Sequence, residues 1–157
     1  MIDQIEKWIF QVNSNHRQER QSCSVLHDCF NGFYSPQLLD SAYFVVTDDI
    51  PKPDFPQLRD LGLGDFIDMK VRGVTYHDTY YVAKHAAEDV DLHFHELVHV
   101  LQWKELGIQG FITRYTQEIL SFGYDNAPLE NMAYSLQERF GKNKQHFNVE
   151  QFVRDNI

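Results

Sequence analysis

Asp89-Val90-Asp91-Leu92-His93-Phe94-His95-Glu96-Leu97-Val98-His99-Val100-Leu101-Gln102-Trp103-Lys104-Glu105-Leu106-Gly107 is the most legible stretch of the chain. Val90, Phe94, Leu97, Val98 and Leu101 recur at i, i+4, i+7, i+8 and i+11, which is the spacing of one helical face. Asp89 or Asp91 offers a carboxylate to the first free amides, and Gly107 stands where the chain must turn out of the helix. The pattern predicts a helix from about Asp89 to Leu106. Within it, His95 and His99 are four residues apart, so both imidazoles share a face about one turn apart. Two nitrogens so placed can grip one tetrahedral Zn²⁺. Glu96 then lies beside the metal. Its carboxylate can take a proton from a water whose pKa the metal has lowered to roughly 7. The plain alternative is a surface helix bearing two solvated histidines.

A catalytic zinc needs a third protein ligand and one open position. Gln102 and Glu105 occupy the positions where an extended HExxHxxGxxH pattern would need Gly and His, so the third ligand must come from elsewhere. Glu130 is the first candidate. It sits just inside a further helix that Pro128 opens, and a helix returning against the first could aim this carboxylate at the metal. Small Ala133 would permit close contact. Glu118 is the competitor, and the plain reading of Glu130 is a carboxylate serving only the helix dipole. An oxyanion helper is also needed near the metal. Tyr124, Tyr134 and His77 are candidates, with Tyr134 the leading one. His93 lies about 200° around the helix from His95 and should face away.

Before the motif, Ile5, Trp8, Ile9 and Val12 predict a packing helix from Asp3, a possible N-cap, to about Asn15. Ser41–Thr47 reads as a strand. Asp48–Pro56 holds three prolines, and with Gly62 and Gly64 it reads as continuing irregular loop. Val71–Tyr76 and Thr79–Ala83 read as two strands joined by a turn at His77-Asp78. After the motif, amphipathic segments run from Gly110 to about Phe122 and from Pro128 to about Gly141. A short terminal helix runs through Val149, Phe152 and Val153. The expected fold is α+β and zincin-like. It is one domain over residues 1–157, with a small antiparallel or mixed sheet packed on the active-site helix and further helices.

A chain of 157 residues, 43% hydrophobic, can bury a core without staples. Cys23 and Cys29 fit no CxxC redox or zinc-knuckle spacing and read as free thiols. The net charge of −9 repels phosphate backbones and anionic lipid, so neither nucleic acid nor membrane is expected as a partner. No apolar run approaches the roughly 18 residues of a membrane span, and the first residues lack a secretory pattern, so a cytoplasmic location is expected.

The stretch from Gly73 to Tyr134 resembles the gluzincin metallopeptidases, especially their minimal forms, and bacterial proteins with a bare HELVH-type helix. The resemblance rests on His95-Glu96-Leu97-Val98-His99-Val100-Leu101-Gln102 and Leu129-Glu130-Asn131-Met132-Ala133-Tyr134. It implies that His95, His99 and Glu130 hold zinc and that Glu96 is the general base. A peptide or protein substrate would lie extended along an upstream edge strand, here Thr79–Ala83. The sequence departs from the family in lacking an NExxSD context around the glutamate. The expected activity is hydrolysis of an amide, with a non-peptide amide as a variant. The alternative is an inactive zinc-binding fold used as a binding or regulatory module, which would not need a base at position 96.

Overall fold

The computed structural model describes residues 1–142 and 145–157. In chain order the elements are α1 (Ile2–Asn15), β1 (Gln21–Ser22), α2 (His27–Phe30), α3 (Pro36–Ser41), β2 (Tyr43–Thr47), α4 (Pro56–Leu58), α5 (Gly64–Asp68), β3 (Gly73–Tyr76), β4 (Thr79–Ala83), α6 (Val90–Leu106), α7 (Ile108–Phe122), α8 (Pro128–Lys142) and α9 (Val149–Asn156). The fold is α+β, and among the described residues four strands form one mixed sheet in the order β1-β2-β4-β3.

β4 runs parallel to β2 on one side and antiparallel to β3 on the other, and all five of its residues are buried. This corrects the expectation that Thr79–Ala83 is the edge strand. Tyr-Tyr-Val-Ala is continuously apolar instead of alternating, as expected of a strand covered on both faces. The edge is β3.

Alternation along the strands divides the core. Phe44, Tyr80 and Val82 face Phe94, Leu97, Val98 and Leu101 of α6, with Leu136 of α8 and Val153 of α9 behind them. Val45, Tyr81 and Tyr76 face the other way, toward Ile5 and Ile9 of α1 and the Trp103–Phe111–Ile112 cluster. Asn13 ties α1 to this second face by donating to the Tyr76 carbonyl at 3.0 Å and accepting from the Tyr81 hydroxyl at 2.7 Å.

α6 begins where Asp89 accepts hydrogen bonds from the Asp91 and Leu92 amides, and it ends at Gly107 with φ 75°. Every residue from His93 to Trp103 is buried. The helix runs through the middle of the molecule, between the sheet and α7, α8 and α9, so its polar residues must find internal partners. His93 does so away from the motif face, against the Tyr80 hydroxyl at 2.7 Å and the Ala87 carbonyl at 2.8 Å.

Two smaller expectations change. Met1 precedes the first helical residue without a side-chain cap, and Asp3 sits inside the first turn. Residues Pro56 to Asp68 are largely helical turns, interrupted at Gly62 with φ 103°. Pro56 opens the first turn, and burial of Leu58 and Leu63 holds the segment down.

Candidate metal centre

α6 and α8 together bring His95, His99 and Glu130 to one point, and all three are buried. The two Nε2 atoms are 3.1 Å apart, and Glu130 Oε1 lies 3.2 Å from His95 Nε2 and 3.3 Å from His99 Nε2. Ligands at about 2.0–2.1 Å from a tetrahedral ion are separated by about 3.3–3.4 Å, so this triangle has the dimensions of one tetrahedral face.

Hydrogen bonding fixes the ring orientations. Gln102 donates through Nε2 to the Leu129 carbonyl at 3.0 Å, so its Oε1 faces His99 Nδ1 at 2.7 Å and must accept from it. The neutral His99 therefore carries its proton on Nδ1 and turns the Nε2 lone pair inward. Gln137 Oε1 meets His95 Nδ1 at 3.0 Å in the same sense. Tyr115 donates to Glu130 Oε2 at 2.6 Å, leaving Oε1 for the centre. Three acceptor lone pairs converge in a buried space, an arrangement that a cation between them would satisfy. The group could hold a metal ion.

In the metal-free chain a proton can take that place. Burial by itself would lower the His99 pKa, but the Glu130 and Glu96 charges outweigh it and raise it to about 9. Against burial, which acts in the opposite sense, His99 and His95 hold Glu130 well below the usual carboxylate range. The His99 contribution to stability is complete below its ordinary pKa of 6.5 and is lost as pH rises through about 9. Chelator-treated protein should lose about 3 kcal/mol across that window, and metal-loaded protein should not. Thermal melts at pH 6.5 and 9, with and without chelator, measure this. Equal melting of the chelated chain at both values would show that His99 holds no such proton.

Glu96 borders the same centre from the sheet side of α6, against the edge strand β3. Its Oε2 accepts from Thr75 Oγ1 at 2.6 Å. Its Oε1 lies so close to Gly73 that a Cβ there would meet it at 2.7 Å, so any larger residue would displace the carboxylate. Residues 72, 74 and 76 pair with β4, as the Ala83 amide bond to the Arg72 carbonyl shows. Gly73 and Thr75 therefore turn their amides and carbonyls to the open edge, beside Glu96.

The remaining candidates separate clearly. Glu118 is occupied elsewhere, accepting from the Leu129 amide at 2.7 Å and from Arg114 Nε at 2.9 Å. It caps α8 instead of joining the centre. The Tyr134 ring lies against His95, 4.4 Å between centroids, and its hydroxyl meets that of Tyr124 at 3.2 Å. Burial and the Glu130 and Glu96 charges raise both phenols above their ordinary pKa, so each keeps a proton to donate. His77 sits in the β3–β4 turn next to Asp78. Gln102, Gln137, Tyr115, Thr75 and Gly73 were not anticipated. Helical spacing marks two of them, since Gln102 is three residues after His99 and Gln137 seven after Glu130.

Two spaces adjoin the group. A cleft of about 210 Å³ with a mixed lining includes Arg72, Gly73, His95, Glu96, Tyr124 and Tyr134. An apolar cavity of about 100 Å³ reaches Glu96, His99 and Glu130 from the α7 side. Among the described residues, no helix is long and apolar enough to cross a membrane. The chain matches no family model, no curated protein and no solved structure.

Proposed function

We propose that this protein is a zinc-dependent hydrolase of zincin-like fold that cleaves amide bonds in peptides. The observation that carries the reading is the triangle of His95, His99 and Glu130 with the Glu96 carboxylate one residue from the first ligand. Zinc suits two imidazoles and a carboxylate in tetrahedral array, and when bound it supplies a Lewis acid and a water acidified to a pKa near 7.

The chain's own residues supply the rest. Thr75 holds one oxygen of Glu96, leaving the other to take the proton of the attacking water and return it to the leaving amine. The open main chain at Gly73 and Thr75 can pair with an extended peptide, which sets a scissile carbonyl near Glu96. This transfers the substrate-binding role from Thr79–Ala83 to β3. Tyr134, or its partner Tyr124, donates to the developing oxyanion from the mouth of the cleft. A protein that only binds zinc has no need of a carboxylate oriented in this way.

The test is metal analysis followed by a peptide screen. We expect about one zinc per chain, lost in His95→Ala and His99→Ala. We also expect cleavage of peptides that stops with chelator and returns with zinc. A chain purified metal-free at neutral pH that takes up no zinc would overturn the reading.

A further inference from the structure

We propose that Gln137 is a positioning residue whose neutral amide, together with that of Gln102, keeps the zinc of this centre exchangeable, so that loading of the site follows the zinc available to the chain. The inference rests on the zinc reading above and extends it to how the site is regulated.

Both imidazoles are held from behind by amides. Gln102 Oε1 lies 2.7 Å from His99 Nδ1, and Gln137 Oε1 lies 3.0 Å from His95 Nδ1. A carboxylate in such a place raises the basicity of the imidazole and strengthens its hold on a metal, and partners of this kind are worth about 10–100-fold in affinity. An amide oxygen fixes the ring and its tautomer in the same way but carries no charge. The chain has 23 acidic residues, yet those nearest in sequence turn elsewhere. Glu138 follows Gln137 and pairs with Lys142, and Glu105 lies 3.5 Å from Arg154. Neither imidazole has a carboxylate behind it among the described residues.

The two amides stand in different surroundings. Gln102 is fully buried, and its Nε2 donates to the Leu129 carbonyl at 3.0 Å. A carboxylate there would face a carbonyl oxygen, so packing alone accounts for the amide. Gln137 is half-buried and borders the 210 Å³ cleft beside His95. Water in that cleft can solvate a carboxylate, so packing does not dictate an amide at 137. Its neutrality bears on the centre and not on the core. The same cleft gives an ion, or a chelator, a route to His95.

The test uses the full chain as parent, Gln137→Glu and Gln137→Leu. Each metal-free protein is equilibrated in buffers of fixed free zinc, its occupancy is measured, and release of bound zinc to excess EDTA is followed at neutral pH. We expect Gln137→Glu to bind zinc at least about tenfold more tightly than the parent and to release it correspondingly more slowly, and Gln137→Leu to bind about tenfold more weakly. A residue that merely filled space would loosen the site in both variants. Weaker binding by both therefore overturns the role of charge. Equal affinity in all three, or a parent that releases zinc as slowly as Gln137→Glu, overturns the exchange device. A parent that takes up no zinc overturns it together with the zinc reading. Peptide cleavage scored on the same samples separates this inference from the hydrolase. Graded affinities without cleavage keep the exchange device and remove the hydrolase, whereas cleavage with equal affinities does the reverse.

Discussion

Glu96→Gln is expected to keep about one metal per chain and to lower hydrolysis by about 10²–10⁴-fold. The substitution nearly preserves shape. The Gln oxygen can still accept from Thr75, so the contact that now measures 2.6 Å survives, and the side chain still lies against the Cβ-free backbone of Gly73. His95, His99 and Glu130 form their triangle without Glu96, so the metal affinity should hold. What the amide cannot do is receive a proton. The loss should therefore fall on kcat, with little change in KM, because a missing base acts on the transition state and not on the bound substrate. Kinetics on a peptide found in the screen, alongside metal content of the same sample, give the answer. An active Glu96→Gln enzyme would show that the base lies elsewhere. Tyr134→Phe cannot imitate this pattern fully, since Tyr124 presents a second hydroxyl 3.2 Å away.

The motif helix was legible because its determinants are local. Asp89 caps it, Gly107 ends it, and the four-residue spacing of His95 and His99 survives any tertiary arrangement. The return of α8 was legible to a lesser degree, through Pro128 at its start and small Ala133, which is fully buried in the core. The edge strand was not. The resemblance implied an edge strand at Thr79–Ala83, yet its unbroken apolar run was already the mark of an interior strand covered on both faces. Gly62 and Gly64 suggested a loop, but burial of Leu58 and Leu63 outweighed weak local helix preference and left only Gly62 as a break. Thr75 and Tyr115 reach Glu96 and Glu130 across 21 and 15 residues of chain. No periodicity encodes such contacts. Only the fold brings them to the carboxylates that need them.

The other large effect is expected at Glu130. Glu130→Ala should weaken zinc binding tenfold or more, because it removes the only carboxylate whose oxygen lies within 3.3 Å of both Nε2 atoms among the described residues. Glu118→Ala should leave zinc affinity within about twofold and instead lower stability by about 1–3 kcal/mol. That carboxylate is buried against the Leu129 amide and Arg114, so its removal leaves one α8 donor and one guanidinium without their acceptor. The comparison is informative because both residues are buried acids near the start of α8, and general damage to the helix would affect the two variants alike. Titration of zinc against a competing chelator, with thermal melts of the same samples, separates affinity from stability. If Glu118→Ala lost zinc and Glu130→Ala kept it, the ligand would be Glu118 and the triangle of nitrogens and oxygen would need another explanation. The structure argues against that exchange on simple valence grounds. Both Glu118 oxygens already accept from fixed donors, whereas Glu130 commits only Oε2, to Tyr115, and holds Oε1 toward the histidines.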